Sequence, residues 1–149
     1  MSLREFFTRN VVTGLGNETI LDAAKRMRDR KVGAIVVVDD EQKPIGMVTD
    51  RDLVVKAMAE GKNPQTTLLR ETMSFDLVSL DENRGLFEAT KIMSNQGIRR
   101  VPVVDKEGKL AGIICLDDLI MVFGQEIAGV AGAIAYETFG TPGKKLIVA

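Results

Sequence analysis

Slid against itself by 66 positions, the sequence aligns residues 3–53 with 69–119 without a gap, and 16 of the 51 pairs are identical. "LRE" opens both copies, "VVD" recurs at 37–39 and 103–105, and Ala23/Ala89, Lys25/Lys91, Met27/Met93 and Gly46/Gly112 coincide. Two copies are too few for a solenoid, which needs about three or more repeats to be stable. A unit of about 55 residues is marginal alone, so the repeat predicts a pseudo-symmetric pair with a shared core. The organisation that follows is repeat one at 3–60, a Gly, Asn and Pro-bearing linker at 61–68, repeat two at 69–123, and an unrepeated extension at 124–149.

Periodicity changes within each unit. "TILDAAKRMRDRK" places Ile20, Ala23, Ala24 and Met27 at helical spacing with charges on the other face. "AIVVVDD" is β-branched, too short for a helix, and closed by acidic turn residues, so it reads as a buried strand. "EQKPIGMVT" gives a turn and a second strand, and "DRDLVVKAMAE" a helix to Gly61. Repeat two has the same order: a helix around 83–96, strands around 100–104 and 110–114, and a helix from about 117. The expectation is an α/β (α+β) fold of two β-α-β-β-α repeats packed through their sheets.

Several functions are excluded by what is missing. With no His and one Cys, the chain lacks His-based acid–base catalysis, a catalytic triad, a structural zinc set and an intrachain disulfide. We therefore expect no catalytic and no metal-ligating residues. A net charge of -1 gives no electrostatic footprint for nucleic acid or anionic membranes. Neither G-x-G-x-x-G nor G-x-x-x-x-G-K-[ST] joins a strand to a helix. "MSLREFFTRN" has no signal-peptide character, so the cytoplasm is the expected compartment. The apolar stretch "LIMVFGQEIAGVAGAIAY" is broken by Gln125 and Glu126 and is expected to pack rather than to cross a membrane.

The repeated turn carries the functional signal. "GMVTDRDL" at 46–53 answers "GIICLDDL" at 112–119, with Cys115 for Thr49 and Asp118 for Asp52. On physical grounds alone, Thr49 and Asp52 form the [ST]-x-x-[DE] pair of a helix-capping box. The doubled unit, "VPVVDKEGKLAGII" and Gly-hydrophobic-hydrophobic-Thr-x-x-Asp at 46–52 closely resemble cystathionine-β-synthase-type (CBS) domains, here a tandem pair or Bateman module, over residues 3–123.

That resemblance implies a regulatory sensor, not an enzyme, that holds an adenosine-containing ligand in clefts between its repeats. For the main cleft it implies Thr49 and Asp52 from repeat one, with Asp52 accepting from a ribose diol. Ser74, Leu77, Val78 and Ile98 from repeat two would border the base, and Arg99 and Arg100 would reach phosphates. The mirror cleft would take Asp118, Thr8, Val11, Val12 and Val32. There Cys115 replaces the hydroxyl, and Gly33 and Ala34 stand where the other side has arginines. It is expected to be weak or empty. AMP, ADP or ATP is favoured over S-adenosylmethionine because of the two arginines.

The resemblance further implies a homodimer formed through helices into a flat disc, and an unknown regulated protein. In the extension, Ala and Gly recur at helical spacing from 128 to 135, which predicts a short helix docking on the module or a partner; "GTPGKKLIVA" reads as a flexible end. The rival reading is a ligand-independent scaffold that recruits a partner protein through this extension.

Overall fold

The computed structural model describes residues 2–139; the expectation for the end beyond Gly140 lies outside the described residues. Repeat one contains a 3-10 turn (Leu3–Glu5), β1 (Thr13–Leu15), α1 (Ile20–Arg30), β2 (Ala34–Val38), β3 (Pro44–Thr49) and α2 (Asp50–Asp52). From α2 the chain runs straight into a π-helical stretch, Leu53–Met58. Repeat two contains α3 (Leu69–Thr72), β4 (Leu80–Asp81), α4 (Leu86–Gln96), β5 (Arg100–Val104), β6 (Leu110–Cys115) and α5 (Leu116–Phe139).

Each repeat builds a three-stranded sheet in sequence order, the first pair parallel and the second antiparallel. The antiparallel registers correspond residue for residue at the 66-position offset, including irregularities at Val37/Val38 and Val103/Val104. The expected α/β architecture of two pseudo-symmetric repeats is therefore present.

Strand alternation divides the core into three parts. Ile35, Val37 and Val48 turn toward α1 with Ile20, Ala23 and Met27. Val101, Val103 and Ile114 turn toward α4 and α5 with Ala89, Met93, Leu119 and Val122. The opposite faces, with Val36, Val38 and Met47 against Val11, Leu77, Leu110 and Ile113, meet between the sheets. Burial on both faces explains why "AIVVV" is continuously apolar rather than alternating.

The repeats are also tied by exchanged segments. Thr8 and Ile113 trade backbone hydrogen bonds of 2.9 and 3.0 Å, and Ser74 and Met47 trade bonds of 3.0 and 3.3 Å at the equivalent positions. The lead segment of each repeat thus crosses the last strand of the other. This explains the repeated glycine: a Cβ on Gly46 would meet Met73 and the Ser74 carbonyl, and one on Gly112 would meet the Phe7 ring and the Thr8 carbonyl. Side-chain-free backbone is required wherever another backbone passes this close.

Two helices depart from the sequence reading. After α2, the chain closes a π-helical turn, whereas repeat two continues at the equivalent place as ordinary α-helix. The extension is no separate short helix and does not fold back: α5 runs unbroken through Gly124 to Phe139. Past Val122 its described side chains are exposed, apart from a half-buried Ala135. The apolar stretch was read as interrupted at Gln125 and Glu126, yet both lie within this one helix, whose glycines weaken it by about 1 kcal/mol each.

Candidate functional site

The β3–α2 junction is fixed by its own hydrogen bonds. Thr49 Oγ1 accepts from the Asp52 amide at 3.1 Å, and Asp52 Oδ2 accepts from the Thr49 amide at 2.9 Å. This closed capping box contributes about 1 kcal/mol. It also fixes the Asp52 carboxylate at the mouth of a cleft between the sheets, leaving Oδ1 for other partners. The capping and binding readings of this pair are thus compatible.

A cavity of about 320 Å³ opens at this mouth. Its lining includes all eight residues expected for the main cleft: Thr49, Asp52, Ser74, Leu77, Val78, Ile98, Arg99 and Arg100. Repeat one supplies the hydroxyl and carboxylate, and repeat two supplies apolar wall and arginines. Parity along β5 separates the two arginines. Arg100 shares its face with Pro102 and Val104, opposite Val101 and Val103, which pack on the helices. It is half-buried and passes beside Gly33 and Asp50. Arg99 lies outside the strand, exposed, with its guanidinium 3.3 Å from Asp117.

The sequence reading missed four lining residues, Met47, Asp50, Arg51 and Asp76, and one neighbour. Lys56 Nζ lies 3.0 Å from Asp52 Oδ1 and 3.3 Å from Ser74 Oγ, joining repeat one to the lead segment of repeat two. Its spacing of four from Asp52 was the available signal, since such positions adjoin on a helical surface. The lining is charge-balanced, with Asp50, Asp52 and Asp76 against Arg51, Arg99 and Arg100. Among the described residues, Arg51 and Arg100 make no ion pair, so both can serve an incoming anion.

The mirror junction keeps half of this chemistry. Asp118 Oδ2 accepts from the Cys115 amide at 2.9 Å, as Asp52 does from Thr49. Burial, and then the Asp118 carboxylate, pushes the Cys115 thiol above its usual range, while Arg100 pulls the other way. Cys115 is therefore a neutral thiol at pH 7. Of the other residues expected here, Val12 is buried in the repeat-one core, Val32 packs against that core, and Val11 joins the layer between the sheets. Thr8 is exposed and its backbone is engaged with Ile113. The counterparts of Arg51, Lys56 and Arg100 are Asp117, Val122 and Ala34. This side thus lacks cations at each of those three places.

Doubled sheets, exchanged lead segments and a capping carboxylate after the last strand of each repeat define a tandem-repeat α/β fold. The CBS domain family model matches residues 3–58 and again 69–124, and the chain belongs to the CBS-domain family. An uncharacterized protein of Methanopyrus kandleri is 40% identical over 122 residues, 82% of this chain and 62% of that protein, so the chain spans under two thirds of that relative. The CBS domain-containing protein YhcV of Bacillus subtilis is 40% identical over 131 residues, covering 87% of this chain and 91% of that one. The CBS domain pair of protein MJ0100, solved in complex with 5'-methylthioadenosine and S-adenosyl-L-methionine, superposes with a TM-score of 0.76 at 25% identity, covering 85% of this chain and 98% of that chain.

Proposed function

We propose that this protein is a regulatory sensor that reversibly binds one adenine nucleotide, AMP, ADP or ATP, in the cleft between its repeats, without catalysis. The observation that carries this reading is the convergence, in one cavity, of the Asp52 carboxylate with Arg51 from repeat one and Arg100 from repeat two. A carboxylate suits a ribose diol, and guanidinium forks suit phosphates. Leu77, Val78 and Ile98 offer the apolar wall that a purine needs. The adenosine ligands of the MJ0100 pair favour the same chemical class. A ligand touching both repeats shifts their relative arrangement by its differential affinity for two states.

Exposed apolar side chains on the helices support the homodimer. Val54 and Val55 in repeat one, and Ile120 and Met121 at the equivalent places in repeat two, are all exposed. Pairing such surfaces removes them from water. The sensor would act in the cytoplasm, on an unidentified regulated protein. Isothermal titration with AMP, ADP, ATP and S-adenosylmethionine tests the reading. Saturable binding of a nucleotide, tighter than of S-adenosylmethionine, is expected. A folded protein that binds none of the four would instead support the scaffold reading, in which the extension recruits a partner.

A further inference from the structure

The large side chains of α5 follow a regular step of four and three: Leu116, Ile120, Phe123, Ile127, Val130 and Ile134. This is a heptad seam, with isoleucine at every a position and Leu, Phe and Val at d. Leu116, at the base of the helix, packs against the repeat-two core, but the later members do not serve the protein's own core. Ile120, Ile127, Val130 and Ile134 are 61%, 69%, 63% and 60% exposed. A repeat of 3.5 residues keeps facing the same neighbour only when that neighbour is a helix winding with it.

The helix also needs support. Isolated helices of fewer than about 12–15 residues are marginal even when rich in alanine. The projecting part of α5 is little longer and contains Gly124, Gly129 and Gly132, whose surroundings within the protein are open space. Among the described residues, no contact accounts for these glycines. Gly124, Ala131 and Ala133 flank the seam at e and g positions, where small residues let a second helix approach closely.

We propose that α5 pairs with α5 of a second copy of this chain, in parallel and in register along this seam. Isoleucine at a with mostly γ-branched or aromatic residues at d suits two parallel strands. The charge pattern fits a copy: Glu126 at g faces Ala131 at e of the second copy, so the alignment meets no like-charge pair until Glu137, where the seam ends. A partner chosen by charge would need charges along the flanks, and Glu126 is the one charged residue among the e and g positions from 119 to 133.

A bilayer fits less well, although Leu116–Thr138 is long and apolar enough by length and composition to cross one, with a mean hydropathy of 1.6. Leu119 and Val122 fix the first two turns in the repeat-two core. Of the described residues, 16, 124–139, then project, against about 20 needed to span. Glu126 would also fall within the hydrocarbon, where ionised side chains are costly.

The proposal stands apart from the ligand reading. Its test uses the full chain carrying Cys115→Ser and Val130→Cys, so that the introduced thiol is unique. Mild oxidation at micromolar protein should give a disulfide-linked dimer as the main species on a non-reducing gel. Adding Ile127→Asp and Ile134→Asp, at exposed positions outside the core, should reduce that dimer at least tenfold while the protein still melts cooperatively, at a temperature lowered only by the lost association. A Val130→Cys thiol that reacts freely with maleimide yet yields no linked dimer would overturn the proposal. So would a dimer yield insensitive to the two aspartates, or flotation of the unmodified chain with phosphatidylcholine vesicles.

Discussion

Lys56 holds the Asp52 carboxylate from the side opposite its capping bond: Nζ lies 3.0 Å from Oδ1, while Oδ2 accepts from the Thr49 amide. The oxygen that a ribose diol would seek is thus already paired. The ammonium also bridges to Ser74 of the other repeat, so a ligand displacing it from Asp52 would disturb an inter-repeat contact through one side chain.

Lys56 is about half-exposed and Asp52 mostly buried, and displacing the ammonium costs about 0.5–1 kcal/mol. Once displaced, Lys56 is free to meet a phosphate. Lys56→Met is therefore expected to bind uncharged adenosine about twofold more tightly, while losing about tenfold in affinity for AMP. Paired calorimetric titrations check this; equal changes for both ligands would mean that Lys56 does not distinguish them.

The repeated glycines should differ in how badly they tolerate a methyl group. At Gly46 the obstacle is mainly the flexible Met73 side chain, with the Ser74 carbonyl 3.0 Å away; at Gly112 it is an aromatic ring and the Thr8 carbonyl at 2.6 Å. Gly112→Ala is expected to cost about 3 kcal/mol and Gly46→Ala about 1 kcal/mol in urea unfolding.

Helices α1 and α4 both end on a left-handed residue, Lys31 at φ 53° and Gly97 at φ 64°. Only the second is the residue that adopts this conformation without steric cost. Lys31→Gly should stabilise the protein by about 0.5–1 kcal/mol despite the looser unfolded chain, and Gly97→Lys should destabilise it by about 1 kcal/mol. Denaturant midpoints measure both.

Cys115 gives the protein an alkaline sensitivity. Its thiol titrates above the ordinary range because burial disfavours the thiolate. The neutral form is the one the fold prefers. That contribution is fully present below the ordinary thiol pKa and is lost as pH rises through the raised value. Iodoacetamide at pH 8 should alkylate the native chain several-fold more slowly than the unfolded one, and Cys115→Ser should remove part of the alkaline loss of stability.

Much of this was legible because the chain states its fold twice. The offset of 66 carried the element order, and the family resemblance of "GMVTDRDL" pointed to the cleft mouth. What the sequence concealed was long-range or conformational. Lys56 and Asp76 became lining or bridging groups only once the exchanged lead segment placed Ser74 against Met47. That Arg100 opens β5 while Arg99 lies just before it depended on where the strand begins. The length of α5 was missed because the Ala and Gly spacing at 128–135 was read apart from the helix expected from about 117, with which it is continuous.

The central claim is that one of two similar clefts binds, and that it binds through Asp52. Isothermal titration of AMP and ATP into the unmodified chain, Asp52→Ala and Asp118→Ala tests it most directly. Loss of saturable binding in Asp52→Ala with binding retained in Asp118→Ala is the predicted result. Retained binding in Asp52→Ala, or loss in Asp118→Ala alone, would contradict the account.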